Sequence, residues 1–288
     1  MTTIRVLLSA LAITAPGAAR AEIQAPDTVV VPSGQLKLKA LLWEPAGRGP
    51  FPAVFFNHGS WPTNSRSGRP ALEIFQQAAM LGPVFARHGF AFLFLFRRGA
   101  GLSTSQGVSA ADLMDRELAA NGQEARNRTQ LRLLATDELT DALAGLAFLR
   151  ALPKVDARHI VVAGHSFGGA LTLLVAERDS SLMAALDFAG AAGSWERSPP
   201  LRARLLTAVA AATVPIFFIH AANDYSIAPG KALGAERERL GKPYRVVIYP
   251  AFGTTSSDGH NLVDLSVATW ENDVFKFLDE QYTQGIIH

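Results

Sequence analysis

The chain has 288 residues, 49% of them hydrophobic, with 27 basic and 25 acidic residues. It contains no cysteine, which excludes disulfides, thiolate metal sites and a cysteine nucleophile. The two excess basic residues both lie in the first 21 positions, so the remainder is neutral and gives no reason to expect nucleic acid or an anionic membrane as a partner.

The first 21 residues are typical of a cleaved export signal. Arg5 precedes an apolar core from Val6 to Ile13, and Ala19-Arg20-Ala21 forms an A-x-A cleavage site. The core is shorter than the roughly 20 residues that a membrane span needs. We therefore predict a signal peptide over residues 1–21 and a periplasmic or secreted mature chain that begins at Glu22. A buried N-terminal helix is the alternative.

Apolar runs alternate with helix-like stretches along the rest of the chain, which is typical of an α/β fold with a mostly parallel sheet. The first two predicted strands form an antiparallel start. Several later strands are apolar throughout, as expected when helices cover both faces of a sheet. No repeat or linker divides residues 22–288, so we predict a single domain. The eight predicted strands are Thr28–Val31, Leu36–Trp43, Ala53–Phe56, Ala91–Phe96, Ile160–Ala163, Ala185–Phe188, Ile216–His220 and Arg245–Tyr249.

Helical patterns lie between these strands, and the first of them is expected to break at Gly82-Pro83. Two further segments, Ser103–Leu134 and Gly193–Val214, are longer than simple connections and either overhang a pocket or decorate the surface. The first should break at Asn121-Gly122. The predicted helices are Ala71–Ala86, Thr136–Leu149, Gly169–Ala176, Ala232–Leu240 and Val267–Leu278.

The most informative motif is Gly164-His165-Ser166-Phe167-Gly168, which lies between the fifth strand and a helix. In that context G-x-S-x-G indicates a nucleophile elbow, a strained turn that holds the serine hydroxyl at the end of a sheet. Ser166 is therefore the predicted nucleophile. An ordinary strand-to-helix turn is the alternative.

A serine nucleophile needs a base and an orienting acid, which in this topology follow it in the order acid, then histidine. Asp224 follows the seventh strand and His260 follows the eighth, so they are the predicted acid and base. Asp187, inside the sixth strand, and Asp258, two residues before the base, are rival acids. His220 ends the seventh strand and could brace the acid loop.

The oxyanion of an acyl-transfer intermediate needs two N–H donors. The backbone N–H of Phe167 is the first candidate. The second should come from the loop after the third strand, where Ser60 is favoured and Trp61 is the alternate. A plain strand-end turn is the alternative for this loop.

Arg97 and Arg98 follow the fourth strand at the same edge of the sheet. Arg98 could bind a substrate carboxylate and Trp61 could also contact substrate, but the arginines are favoured as ties between loops. No phosphate-binding motif and no metal-ligand spacing occurs in the sequence, so we predict neither a metal nor a cofactor.

Together these motifs resemble the α/β-hydrolase superfamily and, within it, its dienelactone hydrolase-like branch. The resemblance runs from about Leu36 to Leu278. It implies an α/β-hydrolase fold, with a mostly parallel eight-stranded sheet and helices on both faces. It also implies a cofactor-free Ser-His-Asp hydrolase with a small-molecule ester substrate.

The chain departs from dienelactone hydrolases at the nucleophile, because they carry a cysteine where this chain has Ser166. The resemblance therefore implies an esterase rather than a lactone-specific enzyme. The arginine-glycine loop is also similar to the catalytic domain of prolyl-oligopeptidase-type peptidases. A small-peptide or amide hydrolase and a non-catalytic ligand-binding protein are the alternatives.

Overall fold

The computed structural model describes residues 25–60 and 72–287. The strands are β1 (Asp27–Ser33), β2 (Leu36–Trp43), β3 (Phe51–Asn57), β4 (Ala91–Phe96), β5 (Val155–His165), β6 (Ala184–Phe188), β7 (Ile216–Ala221) and β8 (Tyr244–Tyr249). They form one sheet in the order β1-β2-β4-β3-β5-β6-β7-β8. β2 is antiparallel to both of its neighbours, and all the other neighbouring pairs are parallel. The predicted eight-stranded, mostly parallel sheet is confirmed.

Helices cover both faces of this sheet, as the apolar strands predicted. They are α1 (Leu72–Arg87), α2 (Ala110–Ala135), α3 (Asp137–Arg150), α4 (Phe167–Arg178), α5 (Pro199–Ala211), α6 (Ala228–Arg239), α7 (Ser256–His260), α8 (Leu262–Leu265) and α9 (Val267–Ile287), with a 3₁₀ helix at Gly101–Gln106. Strand β4 shows the division clearly. Phe92, Phe94 and Phe96 pack in the layer of α1 and α9, whereas Leu93 and Leu95 pack in the layer of α2 to α6.

The expected break of the first helix was wrong, because α1 continues through Pro83 to Arg87. Proline removes one backbone hydrogen bond from a helix and normally ends or bends it. Here Gly82 lies against the ring of Trp43 on β2, so closely that an added Cβ would be 2.2 Å from that ring. Packing against the sheet therefore outweighs the local signal.

The two longer segments of the chain contact each other. The first contains α2, which is interrupted at Gly122 with a φ of 79°, as the sequence predicted. The Ser194 hydroxyl donates to the Gln130 side chain at 3.0 Å, and the Asn127 amide donates to the Arg197 carbonyl at 2.5 Å. The segments therefore form a connected layer on the α2 side of the sheet.

The predicted export signal, residues 1–21, lies outside the described residues. Within the described ranges, no helix is long and apolar enough to cross a membrane. The same ranges contain no group of three or more histidine or acidic side chains that could hold a metal ion.

Candidate active site

Ser166 lies in a sharp turn between β5 and α4, with a φ of 57° and a ψ of −115°. A non-glycine residue in this region carries backbone strain, which is typical of a nucleophile elbow. The flanking glycines make the turn possible. A Cβ added to Gly164 would lie 2.3 Å from the Gly168 carbonyl oxygen, and one added to Gly168 would lie 2.0 Å from the Asn57 carbonyl oxygen.

The structure brings the three predicted catalytic side chains into one hydrogen-bonded chain. His260 Nε2 lies 2.8 Å from Ser166 Oγ, and His260 Nδ1 lies 2.7 Å from Asp224 Oδ1. Asp224 follows β7 and His260 ends α7, which follows β8, so each residue stands beyond the carboxyl end of a parallel strand. In this arrangement Nδ1–H donates to the carboxylate, and Nε2 is free to accept the serine proton.

The Asp224 carboxylate accepts further hydrogen bonds besides the one from His260. His220 Nδ1 donates to Oδ2 at 2.8 Å, and the Tyr225 N–H donates to Oδ1 at 2.7 Å. Burial opposes ionisation, but the hydrogen bonds from the two histidines hold the pKa of Asp224 below its ordinary value. His220 therefore contacts the acid, as its position at the end of the seventh strand suggested.

The two rival acids have other positions. Asp187 is buried in β6 against Gly169 and Gly190, and burial raises its pKa to about 7. Asp258 accepts from the Thr255 N–H at 2.9 Å and takes part in the capping box of α7. His260 Nδ1 pairs with Asp224 instead.

Sequence reasoning missed a connection between the elbow and the base. His165 Nε2–H donates to the His260 carbonyl at 2.8 Å, and His165 Nδ1 accepts from the Gln77 amide at 3.2 Å. Burial and the neighbouring His260 lower the pKa of His165 to about 3, so its ring is neutral. The motif showed a histidine before Ser166, but its partner Gln77 lies far away in sequence on α1.

Asn223 is a second connection that the sequence did not reveal. Its amide donates to the carbonyls of Phe252 and Thr255, both at 2.8 Å, and its oxygen accepts from the Phe252 N–H. Gly259 lies so close that an added Cβ would be 2.4 Å from Asn223 Oδ1. The acid loop and the base loop are therefore held together beside the Asp224–His260 contact.

The two candidate oxyanion donors come from the residue after Ser166 and from the loop after β3. Phe167 is the first residue of α4, where a backbone N–H has no partner within the helix. Ser60 is in the loop after β3, and Gly59 before it lies against Ser166, since a Cβ there would be 3.6 Å from Ser166 Cβ. Trp61 lies outside the described residues.

The two arginines after β4 are both ion-paired with α3. Arg98 pairs with Asp137 and Asp141, each at 2.8 Å, which is the loop-bracing arrangement that the sequence favoured. Substrate binding by Arg98 stays a prediction. Arg97 is buried and its Nε donates to Glu138 Oε2 at 2.5 Å.

Both ion pairs depend on buried acids that the sequence analysis did not single out. Glu138 and Asp141 lie one turn apart on the buried face of α3, in line with Ala142 and Gly145. Two acids on a helix face that is otherwise apolar are a signal for buried cations. That signal was available in the sequence.

The strand order, the helical layers and the elbow after β5 define an α/β-hydrolase fold. The family model of the dienelactone hydrolase family matches residues 103–280, more than half of the chain. The chain therefore belongs to this family. No curated protein matches the chain significantly in sequence.

Solved structures share the fold at low sequence identity. Est1E from Butyrivibrio proteoclasticus, solved with ferulic acid bound, is 18% identical with a TM-score of 0.59, over 90% of this chain and all of that one. The dienelactone hydrolase-like promiscuous phosphotriesterase P91 from metagenomic libraries is 19% identical with a TM-score of 0.60, over 90% and 99%. Acylaminoacyl peptidase from Pyrococcus horikoshii is 17% identical with a TM-score of 0.59, over 91% of this chain and only 42% of the peptidase.

Proposed function

We propose that this protein is a serine hydrolase that cleaves the carboxylic ester of a small substrate. The observation that carries the proposal is the unbroken hydrogen-bond chain from Ser166 Oγ through His260 to Asp224. Its position at an elbow of strained geometry, at the carboxyl edge of the sheet, is where this family's hydrolytic chemistry would be expected.

In the first half of the reaction His260 acts as general base. Its Nε2 takes the proton of Ser166 as the hydroxyl oxygen attacks the ester carbonyl and forms a tetrahedral oxyanion. Asp224 keeps the other ring proton on Nδ1 and stabilises the imidazolium that forms. When the intermediate collapses, His260 protonates the departing alkoxide and Ser166 retains the acyl group.

In the second half a water molecule takes the place of the alcohol. His260 removes a proton from the water, the hydroxide attacks the acyl-enzyme, and Ser166 leaves with the proton that His260 returns. The N–H groups of Phe167 and Ser60 stabilise the oxyanion in both halves. Each step thus uses groups of the chain itself and a water molecule.

The experiment that tests the proposal compares the protein with Ser166→Ala and with Ser181→Ala, an exposed serine bound to Asp179. Each is incubated with a fluorophosphonate probe and then assayed with short acyl esters. We expect one adduct, on Ser166, in the unsubstituted protein and in Ser181→Ala. In Ser166→Ala the adduct should be absent, and turnover should fall about 10⁴- to 10⁶-fold.

The outcomes separate the alternatives. A folded protein that neither takes up the probe nor hydrolyses any ester would support a non-catalytic ligand-binding role instead. If the adduct forms but only amides or small peptides turn over, the nucleophile stands and the ester assignment fails. A phosphotriester belongs in the same substrate panel, because P91 is described as a phosphotriesterase.

A further inference from the structure

Arg97 lies buried between the two parts of the chain that would supply the oxyanion donors. Its side chain is 2% exposed, and Nη2 donates to the His58 carbonyl at 2.8 Å and to the Gly59 carbonyl at 3.5 Å. The guanidinium carbon also lies 5.7 Å from the centre of the Phe167 ring, within cation–π range. One side chain therefore contacts both the loop before Ser60 and the residue that carries the other donor.

The hydrogen bonds of the Gly59 carbonyl determine where the Ser60 N–H points. In a trans peptide the C=O and the following N–H point in opposite directions. The Gly59 oxygen accepts from His58 Nδ1 at 2.6 Å and faces the Arg97 guanidinium. The Ser60 N–H is therefore directed away from Arg97, while Gly59 lies against Ser166.

His58 is fixed by the same arginine. The backbone N–H of Arg97 donates to His58 Nε2 at 3.2 Å, which leaves the ring proton on Nδ1 for the bond to Gly59. Burial and the nearby Arg97 charge keep the pKa of His58 well below its ordinary value, so the ring stays neutral and keeps this tautomer. The loop thus receives hydrogen bonds from the main chain and the side chain of Arg97.

We propose that Arg97, anchored by Glu138, is a positioning residue for the oxyanion hole, where it holds the His58–Gly59 carbonyls so that the Ser60 N–H faces the reacting carbonyl beside Phe167. This inference rests on the proposed function. Arg97 touches no reacting atom, and it acts through the backbone that it orients.

The energetics of the ion pair agree with a positioning role. Both Arg97 and Glu138 are about fully buried, and removing two charges from water costs roughly as much as their attraction returns. The pair is therefore a poor source of stability by itself. The planar, forked donor set of the Arg97 guanidinium can instead hold a carboxylate and two carbonyls in one fixed geometry, which a lysine ammonium cannot do.

The neighbouring arginine provides a natural comparison. Arg98 also pairs with α3, through Asp137 and the buried Asp141, but none of its hydrogen bonds among the described residues goes to the loop before Ser60. Asp141 also accepts from the Ser33 hydroxyl at 2.7 Å, at the end of edge strand β1, which β2 and β4 separate from β3. This second pair joins the same loop and helix without reaching the oxyanion donors.

The test uses Arg97→Lys and Glu138→Gln, with Asp141→Asn as the matched control. For each variant we would measure thermal stability, kcat and KM for an ester, and the inhibition constant of an alkylboronic acid, which forms a tetrahedral adduct on a serine nucleophile. Arg97→Lys should lower kcat and weaken boronate binding in parallel, by about 10- to 100-fold, with KM changed less than about threefold. Glu138→Gln should act in the same direction with a smaller effect.

Asp141→Asn should lower thermal stability while kcat and boronate affinity stay within about threefold. A folded Arg97→Lys with unchanged kcat and boronate affinity would overturn the inference, as would equal losses in Asp141→Asn. If Arg97→Lys does not fold, Glu138→Gln decides by the same two measurements. An unsubstituted protein that neither takes up the fluorophosphonate nor binds the boronate would instead sink the proposed function.

Discussion

The two sides of Ser166 are built in different ways. The base side consists of His260, Asp224 and His220, and there side chains bond to side chains. His220 and His260 both donate to Asp224, at 2.8 and 2.7 Å. On the oxyanion side the working groups would be backbone N–H groups, and their orientation depends on Arg97 and on Glu138 from α3. Both sides meet at the carboxyl edge of the sheet.

This difference determines how each side responds to substitution. A catalytic side chain can be deleted outright, so a change on the base side removes a chemical group. A backbone donor cannot be deleted by an ordinary substitution, so a change on the oxyanion side only displaces it. We therefore expect the largest losses on the base side, with graded losses on the oxyanion side.

The largest of these effects is expected from Asp224→Asn. The neutral amide is a weaker acceptor for His260 Nδ1–H than the charged carboxylate is. The His260 ring is therefore free to turn or to change tautomer. We expect kcat to fall about 10⁴-fold with little change in KM. Steady-state kinetics near neutral pH measure this directly.

Asp258→Asn is the control for that experiment, because Asp258 is two residues from His260 but caps α7. The Asn amide oxygen can still accept from the Thr254 and Thr255 N–H groups, so we expect a loss of less than about 1 kcal/mol in stability and less than tenfold in kcat. If Asp258→Asn were as damaging as Asp224→Asn, the assignment of the acid would have to be revised.

The contrast between the two sides also explains what the sequence could predict. Ser166, Asp224 and His260 follow from a motif, a chain order and loop positions, since their chemistry resides in their side chains. Strand positions were predictable for a similar reason, because apolar runs such as Ala91–Phe96 must be buried. The expected helix end at Gly82-Pro83 failed because a contact with Trp43 is invisible to local signals.

The oxyanion side was less predictable because its contacts are distant in sequence. Arg97 is 41 residues from Glu138 and 39 from His58, and nothing in the spacing indicates which of two adjacent arginines reaches the loop. The sequence favoured both arginines as ties between loops and left substrate binding by Arg98 open. Only the structure shows that Arg97 pairs with Glu138 and reaches the His58 carbonyl, whereas Arg98 pairs with Asp137 and Asp141.

A second prediction concerns a substitution that displaces the oxyanion donors but removes no group from the base side. Gly168→Ala would place a Cβ 2.0 Å from the Asn57 carbonyl oxygen and 2.4 Å from that of His58, so the loop before Ser60 must move. We expect kcat to fall about 10²- to 10³-fold, the cost of losing one oxyanion donor. The proton resonance of the His260–Asp224 hydrogen bond should persist in the NMR spectrum.

Gly193→Ala is the matched control, since its Cβ would meet only the Tyr225 ring, at 3.7 Å. That distance is ordinary contact, and kcat should change less than about threefold. Loss of the downfield imidazole resonance in a folded Gly168→Ala would show that the oxyanion side cannot be displaced without disturbing the His260–Asp224 hydrogen bond.

The smallest effect is expected from replacing His220, which tests how much this residue contributes to the base side. His220→Leu removes the donor to Asp224 Oδ2 and leaves a buried carboxylate oxygen without it, at a cost of about 1–3 kcal/mol in stability. Because His260 still holds the other oxygen, kcat should fall only about 3- to 10-fold. His220→Gln, whose amide can still donate, should lose less stability and less kcat than His220→Leu.

The pH dependence of His220→Leu has a definite sign. The pKa of Asp224 is lowered in the folded chain, with burial opposing and the hydrogen bonds from His220 and His260 favouring the carboxylate. Ionised Asp224 therefore stabilises the fold above its unfolded pKa of about 3.9, and this contribution is lost as the pH falls through the folded pKa. Without His220 the folded pKa rises, so acid unfolding of His220→Leu should begin at a higher pH. Unfolding midpoints measured from pH 2 to 7 test this, and an unshifted acid limb would mean that His220 fills space beside Asp224 without tuning its charge.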